Sequence, residues 1–109
     1  MSAYKFGDIV LIRFHPAYGQ ELKKYRPAVI VSTIPNQLDP RFSLIAPFTA
    51  KAKPHNKFEL LITHSILKKP SLLLCWYLKT IDTQRIVEQL GHLSPKDSQL
   101  LKLTLKQLF

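Results

Sequence analysis

Two residues in this chain stand where a fixed cation and a hydroxyl could act on a phosphate. Arg26 precedes Pro27 in the run Tyr25–Ser32, YRPAVIVS. Proline fixes its own φ, lacks an N–H and pushes the residue before it toward extended geometry, so Arg26 is held at a defined loop-to-strand junction. Thr49 ends the apolar run Arg41–Thr49, RFSLIAPFT, just ahead of a basic loop, KAKPHNK. Cleaving a phosphodiester without metal takes a fixed cation for the charge that develops on phosphorus and hydrogen-bond donors beside it. It also takes groups that carry protons to and from the 2′-hydroxyl and the leaving oxygen. Arg26 offers the cation, with a bidentate grip that lysine does not match, and Thr49 offers a hydroxyl. Each residue also has a plainer reading. An arginine can close a strand with its head in water, and a β-branched threonine can simply end one.

Other chemistries find little support. The three glycines are isolated, so no glycine-rich phosphate loop is present, and His15, His55, His64 and His92 stand too far apart for a metal motif. No metal or cofactor is expected. The single cysteine, Cys75, lies inside the apolar run LLLCWYL, which predicts a buried core thiol and rules out an intrachain disulfide. Sixteen Lys and Arg against seven Asp and Glu give a formal charge of +9. That balance favours a polyanionic partner, nucleic acid or an acidic protein ahead of a membrane surface. The opening MSAYKFGD lacks the apolar core of a signal peptide, and the longest apolar run is far short of a bilayer span. A soluble, cytoplasmic protein is expected.

The elements that must position these residues follow from periodicity. At 109 residues, 46% of them hydrophobic, the chain reads as one globular domain, 1–109. Asp8–Phe14 and Arg26–Thr33 are Val- and Ile-rich runs bounded by turn chemistry and predict strands, joined by a long loop, HPAYGQELKKY. Arg41–Thr49 predicts another strand, with Pro47 suggesting an edge or a bulge, and Phe58–Thr63 a further one. Ser71–Leu78 is apolar on both faces, as a central or interface strand would be. Ile81–Leu90 reads as a short helix or turn. Ser94-Pro95-Lys96-Asp97 starts a helix, and Leu101, Leu105 and Leu108 recur at helical spacing. The sum is an α+β, mainly β domain: antiparallel strands in a small, partly open barrel closed by a C-terminal amphipathic helix.

Taken in order, several stretches resemble the MazF/PemK family of type II toxin–antitoxin endoribonuclease toxins. They are GDIVLIRFHPAYGQEL, RPAVIVS, IAPFTAK, KTID followed by QRI, GHLS and the leucine-rich terminal helix. The resemblance implies an SH3-like barrel of the MazF/CcdB type, assembled as a homodimer and silenced by an acidic antitoxin. It implies metal-free cutting of single-stranded RNA to leave a 2′,3′-cyclic phosphate, with Arg26 and Thr49 at the family's catalytic positions. Glu21 matches the family's first-loop acid, while Gln20 stands where some members carry a histidine. Glu21 and His15 are the candidate proton carriers, His15 because its ordinary pKa suits the task; His15 also fits a solvated loop residue.

The chain departs from the family pattern at one place. Where many members carry an acid and a glutamine before Arg-Thr-Ile-Asp, this chain has Trp76-Tyr77, then Leu78 and Lys79. The two aromatic rings could stack an unpaired base. In a strand, however, neighbours face opposite sides, which would leave only one of them facing RNA and pack the other. Lys23, Lys24, Lys51, Lys53, His55 and Lys57 flank the two central positions and read either as a track for the RNA backbone, with steeply salt-dependent binding, or as solvated loops. The alternative function is a catalytically inactive MazF-like module that binds nucleic acid or protein.

Overall fold

The computed structural model describes residues 4–13, 25–31, 38–39, 41–50 and 53–108. His15, Glu21, Lys23, Lys24 and Lys51 lie outside the described residues. The described strands are β1 (Asp8–Arg13), β2 (Tyr25–Ile30), β3 (Phe42–Thr49), β4 (Glu59–Ile62), β5 (Ser71–Leu74), β6 (Lys79–Asp82) and β7 (Ile86–His92). Helix α1 (Pro95–Leu108) follows them. Every strand pairing is antiparallel, in the order β4-β5-β3-β2-β1-β7, with β6 also on β3. The result is a small, open, barrel-like sheet followed by a C-terminal helix, as periodicity predicted.

Alternation divides the core in two. From β1, β2 and β3, Ile9, Val29 and Ala46 face one cluster, which Leu73, Leu93 and Leu101 complete; Val10, Ala28, Ile30 and Ile45 face the other, with Ile81 and Ile86. Strands buried on both faces read as continuous apolar runs, which is why DIVLI and AVI stand out in the sequence. Helix α1 begins as its residues dictate: the Ser94 hydroxyl accepts from the Asp97 N–H at 3.1 Å, and Pro95 occupies the first turn. Leu101 is fully buried and Leu105 packs beside it against the first cluster.

Three expectations need correction. Ile81–Leu90, read as a short helix or turn, is mostly strand: a 3-10 turn (Thr83–Arg85) lies between the end of β6 and most of β7. The β1–β7 register shifts between Ile9 and Val10 and again between Leu11 and Ile12, so β7 carries extra residues that break its period of two and hide the strand. The strand expected over Ser71–Leu78 stops at Leu74, where the Tyr77 N–H turns back to the Leu74 carbonyl at 3.2 Å. Finally, Pro47 lies in a central strand. It pairs with Ala28 on one side and on the other falls between the β6 pairing, which ends at Ile45, and the β5 pairing, which begins at Phe48.

Gly7 fixes where β1 starts. Its φ of +92° is a conformation that L side chains avoid. Its N–H donates to the Ile30 carbonyl and its own carbonyl accepts from Leu93, both at 2.9 Å. A Cβ there would meet the Ser98 hydroxyl at 3.0 Å and the His92 ring at 3.3 Å. Gly7→Ala is expected to cost about 2 kcal/mol, seen as a lower denaturant midpoint at unchanged slope.

Candidate functional site

The β2–β3 register brings Arg26 and Thr49 together. Ile30 pairs with Ile45, Val29 with Ala46 and Ala28 with Pro47. The pairing stops at Ala28 and Pro47; the same antiparallel count, continued by two residues, leads from Arg26 to Thr49 on the face those two share. Both line one cavity of about 200 Å³, walled also by Ile45, Pro47, Phe48, Leu74, Tyr77 and Lys79. The cavity has a topological origin. β3 pairs with β6 over Phe42–Ile45 but with β5 at Phe48 and Thr49, so the link from β5 to β6 must cross between them, and the gap opens at that exchange of partners.

The lining sorts into an apolar floor and a cationic margin. Among the described lining residues, Ile45, Pro47, Phe48 and Leu74 exclude water from one side, Arg26 and Lys79 bring positive charge, and none is a carboxylate. Low-dielectric walls with charge of one sign focus an attractive field on an anion. A hydroxyl from Thr49, half-buried beside them, completes a set of donors suited to a phosphate.

The aromatic pair behaves differently from a strand pair. Because β5 ends at Leu74, alternation does not govern Trp76 and Tyr77. Both rings stand about half exposed, at 47% and 49%, and stack with centroids 5.5 Å apart and planes 15° from parallel. Tyr77 lines the cavity. The Trp76 indole N–H donates to Glu59 Oε2 at 3.0 Å, and Glu59 Oε1 accepts from the His55 backbone N–H at 2.8 Å.

Of the sequence candidates, Arg26, Thr49 and Tyr77 meet in the cavity, and Trp76 backs Tyr77. Lys53, His55 and Lys57 are exposed and do not line it; the Lys57 ammonium lies over the Phe58 ring, 5.3 Å from its centre. Two residues were not among the sequence candidates, one lining the cavity and one holding Trp76 from outside it. Lys79 was visible as the cation that opens KTID, and Glu59 as an acid within the apolar run FELLIT. Cys75 is fully buried, and burial pushes its thiol up from 9.0 to about 12. Disulfide reagents at pH 8 are therefore expected to titrate it only after unfolding. Since the folded thiol holds its proton longer than the unfolded one, this group's share of stability is intact below pH 9 and is lost as pH rises toward 12.

A basic, partly apolar cavity at a strand junction of a small open antiparallel barrel defines a class of protein, and comparison assigns the family within it. Residues 5–109 match the family described as PemK-like, MazF-like toxin of type II toxin-antitoxin system, and the chain belongs to that family. Among solved structures it is similar to MazF from Deinococcus radiodurans, with 23% identity, 99% of this chain and 97% of that one covered and a TM-score of 0.74. It is also similar to a MazE-MazF complex from the same organism, with 20% identity, 99% and 96% coverage and a TM-score of 0.77. For the Mycobacterium tuberculosis toxin MazF-mt6 the values are 20% identity, 94% and 95% coverage and a TM-score of 0.71. At these identities the likeness establishes the fold. No curated protein matches the chain. No described helix is long and apolar enough to cross a membrane.

Proposed function

We propose that this protein is a metal-independent endoribonuclease toxin that cuts single-stranded RNA. The observation that carries the reading is the convergence of Arg26 and Thr49 on one cavity bordered by a second cation, Lys79. The scissile phosphate sits against the Arg26 guanidinium, and the Thr49 hydroxyl donates to a phosphate oxygen. The 2′-oxygen attacks phosphorus, its proton leaves to a base, and the bond to the 5′-oxygen breaks as that oxygen gains a proton. The products are a 2′,3′-cyclic phosphate and a 5′-hydroxyl. Arg26 stabilises the charge that gathers on the equatorial oxygens, where a preorganised donor gains most. Glu21 and His15 are the proton carriers that the sequence offers.

The protein acts in the cytoplasm as a homodimer, and an acidic antitoxin segment silences it by occupying the basic surface. The +9 charge and the likeness to MazE-MazF complexes support this partner. A second reading, a binding module without turnover, is favoured by one observation: no carboxylate or imidazole is among the described residues lining the cavity.

The test is incubation of the full chain with a long unstructured RNA in EDTA, followed by mapping of the new ends. Cuts with cyclic-phosphate and 5′-hydroxyl ends are expected from the parent. Salt-sensitive binding without cuts would replace this reading with the second one.

A further inference from the structure

Glu59 is a charged residue only 7% exposed, in β4, outside the cavity. One carboxylate oxygen holds the Trp76 indole and the other holds the backbone of His55, in the segment that carries Lys53, His55 and Lys57. Burying a carboxylate is costly, and an indole that stands 47% exposed could satisfy its N–H with water. The bond to Trp76 is therefore one that water could replace. That bond does orient a ring. Trp76 is stacked on Tyr77, and Tyr77 is a wall of the cavity that holds Arg26 and Thr49.

We propose that Glu59 is a positioning residue for RNA: it fixes Trp76, and through it Tyr77, as a shelf on which an unpaired base stacks beside the phosphate cavity. It also ties the basic 53–57 segment to that shelf, so that the strand leaving the shelf meets cations. This inference rests on the RNA reading above and adds the residue that orders the base-contacting side of the site. Single-stranded nucleic acid fits such a surface because every base has a π-face and every linkage a phosphate. An acidic peptide would use the cations alone.

Trp76 is the chain's one tryptophan, so its emission reports the shelf directly. The experiment titrates the parent, Glu59→Gln and Trp76→Phe with a labelled single strand of about eight 2′-deoxynucleotides, which cannot be cut, and with an abasic strand of the same length. Anisotropy gives affinity, and Trp76 emission gives contact. Quenching of Trp76 in the parent by the base-bearing strand is expected. Glu59→Gln, which leaves one carboxamide oxygen to serve two N–H donors, and Trp76→Phe, which keeps a ring but loses the N–H, should each weaken that strand about ten-fold. Both should leave affinity for the abasic strand within about two-fold, since only stacking is lost. With a cleavable RNA, Glu59→Gln should raise KM and leave kcat unchanged.

Equal losses on both strands, or a Glu59→Gln variant that binds like the parent, would overturn the proposal. So would quenching by polyglutamate but not by the base-bearing strand. A parent that cuts RNA while Glu59→Gln loses nothing removes the shelf and leaves the ribonuclease. A parent that is quenched and never cuts RNA in EDTA removes the ribonuclease and leaves the shelf.

Discussion

Arg26→Ala is expected to lower metal-free RNA cleavage by on the order of 1,000-fold, the loss seen when a preorganised charge donor at a transition state is removed. The effect should fall on kcat more than on KM, because the guanidinium meets its full partner only when charge gathers on phosphorus. Lys79 remains at the cavity margin to attract the backbone, so binding to an uncleavable strand should weaken far less than turnover. Arg26→Lys tests the geometry: it keeps the charge and loses the planar fork, and should recover only part of the rate. Thr49→Ala removes one neutral hydrogen bond, and its loss should be on the order of ten-fold. A rate for Arg26→Ala equal to the parent's, with cyclic-phosphate ends still forming, would place the chemistry elsewhere.

The second large effect is on stability. Leu101→Ala should cost about 3 kcal/mol, because the side chain is fully buried where α1 meets the cluster of Ile9, Val29 and Leu73. For a chain of this size that lowers Tm by more than about 10 °C. Leu103, two positions on, is 47% exposed, and Leu103→Ala should change stability by no more than about 0.5 kcal/mol. The comparison uses one helix and one residue type, so propensity cancels and burial alone separates the two. Thermal or urea unfolding checks it, and equal losses at both positions would mean that the helix packs differently.

Local chemistry carried most of the fold. The helix start at Ser94-Pro95, the leucine stripe and the apolar runs of β1, β2 and β3 each follow from interactions within a few residues, which a sequence displays directly. Arg26 and Thr49 stood out as candidates, one ahead of its proline and one before a basic loop, and the family resemblance favoured them over plainer readings. Their meeting was not legible, because it depends on a register between strands far apart in the chain, and register is decided by which face each strand buries. The bulges of β7 hid a strand by breaking its alternation, and the early end of β5 freed Trp76 and Tyr77 from a rule that holds only inside a strand. The sequence by itself determined residue chemistry, charge and local element type. Only the tertiary structure decided that β3 changes partners beside Pro47, so that a gap opens between Arg26, Thr49, Tyr77 and Lys79. That gap is a property of strand pairing across the sheet, and no short-range pattern encodes it.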